Sequence, residues 1–132
     1  MRYPPDDPRE WLNRARSNLK VAGMNAEGIY LEDLCFNAQQ AAEKAIKAVL
    51  VLRKVEFPYV HDIARLLALV EGAGQDVPES VWDADGLTPF AVITRYPDMA
   101  PPMDIAQYRE LVAIAERVLA WAEGIVMKDM EP

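Results

Sequence analysis

Apolar and polar residues follow each other along the chain at intervals of three or four positions, which is the spacing of amphipathic helices. The clearest such segment runs from about Tyr30 to Lys54. On a helical wheel its apolar residues cover about half of the circumference, and they are Cys35, Ala38, Ala41, Ala42, Ala45, Ile46, Val49, Leu50 and Leu52. Because alanine adds little bulk, neighbouring helices can approach closely. The pattern therefore predicts the central helix of a bundle.

The polar residues of this segment are predicted to lie on its other side, with one exception. Gln40, Glu43, Lys44 and Lys47 lie there, and Gln40, Lys44 and Lys47 share one stripe. That stripe either faces solvent or contacts a nucleotide or a partner protein. The exception is Gln39, which falls within the apolar arc. A buried amide without a partner costs on the order of 1–3 kcal/mol, so we expect Gln39 to be hydrogen-bonded and to fix the helix packing.

The same spacing predicts further helices before and after the central one. They cover residues 7–22, 61–73, 79–94 and 104–127. Asp7 with Glu10 has the spacing of a capping box, and Asp104 with Gln107 supplies a second capping signal. Pro58 is predicted to stop the central helix, because a proline disfavours helix in the residue before it.

The remaining signals set the fold class. Gly86 and Pro89 predict a break in the helix over 79–94, and residues 1–6 are predicted to be irregular. No strand-like alternation is present in the sequence. We therefore predict an all-α fold, an up-and-down antiparallel bundle of four to five helices with short loops, with residues 1–132 forming a single domain.

Composition narrows the possible chemistry. A single cysteine and a single histidine exclude an intramolecular disulfide, a cysteine-rich zinc site and a histidine-rich metal site, so neither a metal nor another cofactor is expected. The first residues contain no apolar stretch of signal-peptide length, and no run of about 18 apolar residues occurs. These features predict a cytoplasmic protein that does not span a membrane. Sequence motifs of the P-loop, the serine hydrolases, the zinc proteases and the dinucleotide-binding enzymes are absent.

The charge is negative overall but unevenly spread. A formal net charge of −7 argues against a protein that coats nucleic acid without sequence preference. Residues 1–66 carry ten Lys and Arg against nine Asp and Glu, whereas residues 67–132 carry four against twelve. This asymmetry is compatible with a local basic patch on the first two helices, although it is also common by chance in helical proteins.

Three segments together resemble a known family. They are F-N-A-Q-Q-A-A-E-K-A-I-K-A-V-L at 36–50, H-D-I-A-R-L-L at 61–67 and R-Y-P-D at 95–98. In this order they resemble the HEPN family of small helical nucleotide-binding domains, and the resemblance covers nearly the whole chain. It implies a homodimer that binds a nucleotide or RNA and works with a minimal nucleotidyltransferase partner, in some cases as a toxin–antitoxin pair.

The single histidine, His61, is the first candidate for chemistry. It is predicted to lie at a helix N-terminus, where it either caps and packs or presents a neutral imidazole beside a phosphate. Many HEPN proteins are ribonucleases whose motif has four to six residues between an arginine and the catalytic histidine. The nearest upstream arginine here is Arg53, with seven residues between it and His61, so the spacing departs from that motif.

Arg95 and Tyr96 form the second candidate group. An arginine can hold a phosphate with several donors, and a tyrosine offers a face for stacking. The resemblance places this segment near His61, so the three side chains are expected to line one pocket. The structural alternative is that Arg95 neutralises helix carbonyls and Tyr96 packs as a lid.

Three functions follow from these candidates. The first is a binding module for a nucleotide or RNA. The second is a metal-independent ribonuclease toxin, in which His61 is the general acid–base and Arg53 or Arg95 stabilises the phosphorane. The third is a non-catalytic bundle that binds other proteins.

Overall fold

The computed structural model describes residues 2–93 and 102–130, and these residues form helices and loops without a strand. The helices are α1 (Pro8–Ala22), α2 (Leu31–Leu52), α3 (Ile63–Gly72), α4 (Glu79–Trp82), a 3₁₀ turn (Asp83–Leu87), α5 (Phe90–Ile93) and α6 (Ile105–Met130). The all-α prediction is confirmed. The segment over 79–94 is broken, as predicted, into two single turns of α-helix with the 3₁₀ turn between them.

Helix α2 is the centre of the bundle. It packs most extensively against α1 and α6, and also contacts α3, α5 and the 3₁₀ turn. The four predicted small residues, Ala38, Ala41, Ala42 and Ala45, are completely buried. Larger side chains from the same helix, such as Ile46, fill the space between the neighbouring helices. The predicted central helix is therefore confirmed.

One of the two capping predictions is wrong in its detail. Asp7 caps α1 by accepting a hydrogen bond from the Arg9 amide at 2.9 Å. Glu10 does not complete the capping box, because the Asp7 amide donates instead to the Pro4 carbonyl. The Glu10 carboxylate accepts from the Tyr3 amide at 3.0 Å and so ties the N-terminal segment to α1.

Both hydrogen bonds of the predicted capping box are present at the N-terminus of the last helix. The Gln107 amide donates to the Asp104 carboxylate at 2.8 Å, and the Asp104 amide donates to the Gln107 side chain at 3.1 Å. Two backbone donors that lack helical acceptors are thereby satisfied.

Helix α2 ends earlier than predicted and for a different reason. Its last residue is Leu52, well before Pro58. The Val55 amide donates back to the Leu50 carbonyl at 2.9 Å, and Lys54 takes a positive φ of 57°. This is a Schellman-type helix end, in which a lysine takes the left-handed position that glycine usually fills. The loop of residues 53–62, which contains His61, begins here.

Among the helices the structure describes, none is both long enough and apolar enough to cross a membrane. A group of three or more potential His, Cys, Asp or Glu metal ligands is likewise missing from residues 2–93 and 102–130.

Candidate functional site

Three polar residues of α2 are buried in a row on one face of the helix. Gln39, Glu43 and Lys47 recur at intervals of four residues, and each is less than one tenth exposed. The Gln39 amide donates to Glu43 Oε1 at 2.9 Å, and Lys47 Nζ donates to Glu43 Oε2 at 3.0 Å. The Glu43 carboxylate is therefore the centre of a buried polar cluster, which we define as Gln39, Glu43, Lys47 and His61.

The predicted role of Gln39 fits this arrangement. Its side chain is completely buried, its amide nitrogen donates to Glu43, and its oxygen accepts from Gln40 Nε2 at 2.7 Å. The amide thus avoids the cost of burial without partners.

The prediction of a polar, uncovered side of α2 is wrong for two residues, Glu43 and the stripe residue Lys47. Glu43 and Lys47 are buried, because the side of α2 that carries them is covered by other parts of the chain. Lys47 Nζ lies 6.0 Å from the ring centroid of Trp11 in α1 and 5.3 Å from that of Phe57 in the loop over 53–62. Both are cation–π contacts. Lys47 is therefore held inside the protein rather than presented to a ligand.

The other two stripe residues, Gln40 and Lys44, are partly exposed. Lys44 Nζ donates to Asn18 Oδ1 at 2.8 Å, which links α2 to α1. Lys44 also lines a small cleft of about 260 Å³ with Trp11 and Arg14. Glu10 also lines this cleft and pairs with Arg14 at 2.8 Å, so the cleft has an excess of one cation, and its Trp11 ring lies beside Lys47 of the buried polar cluster.

His61 is held by the buried carboxylate. Its Nδ1 lies 2.7 Å from Glu43 Oε1, while 48% of its side chain is exposed and Glu43 is only 4% exposed. A carboxylate at this position favours the tautomer with hydrogen on Nδ1. Nε2 has no hydrogen-bond partner within the described part of the chain. The imidazole is thus oriented from inside and available from outside.

The position of His61 at a helix start needs a small correction. Helix α3 begins at Ile63, and its N-cap is Asp62, whose carboxylate accepts from the Arg65 amide at 3.3 Å. His61 therefore precedes the cap. The capping role that was one alternative for His61 belongs to Asp62.

The electrostatics of Glu43 follow from its partners. Burial on its own raises the pKa of the Glu43 carboxyl, but hydrogen bonds from His61 and Gln39 and the charge of Lys47 outweigh burial. The pKa of Glu43 is therefore lowered, and the group is a carboxylate at neutral pH.

This lowered pKa predicts a measurable acid dependence of stability. A depressed folded-state pKa stabilises the protein above the unfolded-state pKa, and the stabilisation is lost as the pH falls through the folded-state pKa. We expect Glu43→Gln to be less stable than the wild type at pH 7, and the difference to shrink below about pH 4. Urea denaturation of both proteins from pH 7 to pH 3 measures it. A difference that is constant with pH would contradict the prediction.

Arg53 makes its contacts elsewhere. Its guanidinium donates to Gln75 Oε1 at 2.7 Å, just after α3, and pairs with Asp129 near the end of α6. Arg53 and His61 share no hydrogen-bond partner in residues 2–93 and 102–130. The proposed catalytic role of Arg53 stays a prediction. Arg95 and Tyr96 lie outside the described residues, so their pocket with His61 also stays a prediction.

Basic side chains also line a groove on α1. The groove has a volume of about 550 Å³, and its lining residues are Arg2, Glu10, Asn13, Arg14, Arg16, Ser17 and Lys20. Four cations here face one carboxylate, although Arg14 pairs with Glu10 and Arg16 pairs with Glu123. We call this surface the basic groove, and it matches the charge excess of the first half of the chain.

A cleft of about 600 Å³ lies in another part of the molecule, beside α6 and the 3₁₀ turn. Among the described residues, its charged lining consists of Glu32, Asp83, Glu110 and Arg117. Although this cleft is larger than the cleft lined by Lys44, the net negative charge of these described residues is unsuited to a phosphate. The cluster around Glu43 and His61 is the better candidate for an anionic ligand.

Sequence reasoning missed the importance of Glu43 and of the two rings that cover Lys47. The available signal was Gln39: because residues four apart lie on one helix face, its burial implied that Glu43 was near the same buried face.

Comparison with known proteins identifies the family. The model of the HEPN domain family matches residues 8–125. The structure is similar to that of TT1696 from Thermus thermophilus, with 34% identity over 89% of this chain and 96% of that one and a TM-score of 0.72. It is also similar to ST0689, an archaeal HEPN homologue, with 28% identity over 91% of this chain and 98% of that one and a TM-score of 0.71. No curated protein sequence matches the chain. With most of its length matched by the family model, the chain belongs to the HEPN domain family.

Proposed function

We propose that this HEPN domain binds a nucleotide or RNA at the exposed edge of His61. The observation that carries the proposal is the 2.7 Å contact between Glu43 Oε1 and His61 Nδ1, which joins a buried carboxylate to a half-exposed imidazole. Burying a carboxylate and an ammonium is costly, and apolar residues fill such positions equally well. A cluster that directs one imidazole outward has a use beyond packing.

The chemistry of the exposed ring nitrogen suits RNA. With hydrogen on Nδ1, Nε2 accepts a hydrogen bond, and a ribose 2′-hydroxyl is a donor that distinguishes RNA from DNA. Lys44 lines the cleft that also contains the Arg14–Glu10 pair, and its ammonium supplies positive charge for a phosphate. Lys47 is buried, so its contribution is to hold Glu43 in place.

The test is the affinity of His61 variants for two probes, a fluorescein-labelled single-stranded RNA and ATP. We expect wild-type binding of RNA, ATP or both, and about two- to tenfold weaker binding by His61→Ala, because a hydrogen bond between neutral groups is worth roughly 0.5–1.5 kcal/mol. Arg109→Ala, which removes an exposed cation from α6, is the control and should bind like the wild type. Fluorescence anisotropy gives the affinities, and thermal unfolding checks the folds.

The melting temperature of the wild type with and without ligand distinguishes a nucleotide-binding or RNA-binding domain from a bundle that binds neither. A ligand at 100 times its dissociation constant should stabilise the fold by about 2.7 kcal/mol. If neither RNA nor ATP raises the melting temperature, the proposal fails and a protein-interaction bundle is the better explanation.

The same contact supports a second candidate, metal-independent RNA cleavage. A carboxylate that orients an imidazole is the arrangement of a general base. Arg53 is paired with Asp129, so the phosphorane would need another cation such as Arg95. Incubating the labelled RNA with the protein and EDTA decides between the two: intact RNA supports the binding module, whereas fragments that disappear with His61→Ala support the ribonuclease.

The proposal includes partners that the family resemblance implies. We propose a homodimer that works with a minimal nucleotidyltransferase, as a toxin–antitoxin pair. Light scattering measures the first association. The identity of the adjacent reading frame tests the second: a minimal nucleotidyltransferase encoded there should co-purify with this protein, and relief of growth arrest on co-expression tests the toxin role.

A further inference from the structure

Tyr59 is the most exposed of the large hydrophobic side chains in the described part of the chain. Its relative exposure is 101%, so it makes no packing contribution to the fold. It lies two residues before His61, in the loop over 53–62 that begins at the Schellman-type end of α2. Single exposed aromatic residues are common on proteins, so a binding role for Tyr59 must be argued from the residues around it.

The residues on both sides of Tyr59 are anchored to the protein. Phe57 packs edge-on against Trp11, with ring centroids 5.9 Å apart. Val60 is partly buried against the main core, and its amide donates to the Pro58 carbonyl at 2.9 Å. His61 is held by Glu43. Tyr59 is therefore presented to solvent from a loop that is fixed before and after it.

Proline adds to this fixation. Pro58 restricts the backbone directly before Tyr59, so a ligand would order little of the loop when it binds. The two residues from Tyr59 to His61 span at most about 7 Å of chain. One nucleotide can therefore contact both the phenol ring and the imidazole.

We propose that Tyr59 is the stacking residue for a nucleobase whose ribose or phosphate lies at His61. This inference rests on the proposed function and adds the group that recognises the base. Stacking on an aromatic ring accepts any base, because every base has a π-face. The site is therefore expected to prefer ligands that contain a base, without strong selection of which base is bound.

The structure provides a matched control in Tyr30. Its side chain is 75% exposed, but it is the N-cap of α2 and lies 13 residues before Glu43. At a rise of 1.5 Å per residue it is about 20 Å from the polar cluster along the helix axis. Tyr30 thus reports what the loss of an exposed tyrosine does when it is remote from His61.

The test compares Tyr59→Ala, Tyr59→Phe and Tyr30→Ala with the wild type. The first probe is a fluorescein-labelled single-stranded oligoadenylate, and the second is an abasic oligonucleotide with the same ribose-phosphate chain. We expect Tyr59→Ala to bind oligoadenylate at least about fivefold more weakly. Tyr59→Phe keeps the ring and Tyr30→Ala keeps the site, so both should bind like the wild type. With the abasic probe, Tyr59→Ala should equal the wild type.

The outcomes separate this inference from the proposed function. If the wild type binds neither oligoadenylate nor ATP, the proposed function fails and the stacking role fails with it; if it binds ATP alone, the same variants are compared with ATP, and the stacking role is wrong if Tyr59→Ala binds ATP like the wild type. If the wild type binds and His61→Ala weakens binding while Tyr59→Ala does not, only the stacking role is wrong. Equal losses on both probes, or a change in oligomeric state without a change in affinity, also overturn it. Because Tyr59 buries nothing, its variants should unfold at the wild-type temperature.

Discussion

Replacing Glu43 with alanine is expected to lower the free energy of unfolding by about 3–5 kcal/mol. The substitution leaves the Lys47 ammonium buried without its carboxylate, and it removes the acceptor of the Gln39 amide and of the His61 ring. A domain of this size is stable by only about 5–15 kcal/mol. The loss is therefore a large share of the total.

The size of this effect comes from burial, as a comparison within the chain shows. Arg16 and Glu123 form an ion pair at 2.7 Å, but their side chains are 43% and 31% exposed. Such surface pairs contribute about 0–1 kcal/mol, because water screens them and both side chains lose freedom. Lys47 and Glu43 are 8% and 4% exposed, so neither finds water when its partner is removed.

Urea denaturation at pH 7 measures the prediction. Glu116→Ala is the matched control, since Glu116 is exposed on α6, and it should stay within about 0.5 kcal/mol of the wild type. A loss of less than about 1 kcal/mol in Glu43→Ala would mean that water reaches Lys47 and that the cluster is not a buried one.

The sequence was sufficient to predict the helices and the central position of α2. The reason is that burial of Ala38, Ala42 and their neighbours depends on the spacing of residues along one helix, which the sequence states directly. The hydrogen bonding of Gln39 also follows from the sequence, because a single amide inside an apolar arc needs a partner wherever the other helices lie. Its partners Glu43 and Gln40 belong to the same helix, so its role in fixing the helix packing stays a prediction.

The burial of Lys47 could not be predicted in the same way. A helical wheel divides a helix into a core side and a solvent side, but a central helix is covered from several directions. Trp11 and Phe57 approach Lys47 from α1 and from the loop over 53–62. These contacts depend on the tertiary structure and not on the spacing of residues within α2. Each step of four residues turns the wheel by about 40°, so Lys47 lies at the edge of the side that holds Gln39.

The partners of Arg53 were also beyond the sequence. Seven residues between Arg53 and His61 indicated a departure from the ribonuclease spacing, and the structure pairs Arg53 with Gln75 and Asp129. Asp129 is distant in sequence and lies close only because α6 packs against α2 with the C-terminal ends of the two helices side by side. Spacing can question a motif, but it cannot give the alternative partner.

A triple substitution distinguishes what the buried polar cluster contributes to protein stability from what it contributes to RNA binding. Gln39→Leu, Glu43→Leu and Lys47→Met together replace the buried polar groups of α2 by apolar ones of similar volume. Replacing a whole buried ionic group in this way is often neutral or stabilising by about 1–4 kcal/mol, whereas removing one partner is destabilising. We therefore expect the triple variant to be within about 1 kcal/mol of the wild type or more stable, and Glu43→Leu alone to be far less stable.

RNA binding by the triple variant should weaken even though its stability is retained. In the triple variant His61 keeps its place before α3, which Asp62 caps independently, but Nδ1 loses the carboxylate that orients the ring. We expect RNA binding to fall about as far as in His61→Ala, while urea denaturation shows an intact fold. A triple variant that is stable and binds RNA normally would show that His61 needs no orientation by Glu43. One that is as unstable as Glu43→Leu would show that the cluster is required for packing, because only the full set of partners then fills the space between α1, α2 and the loop.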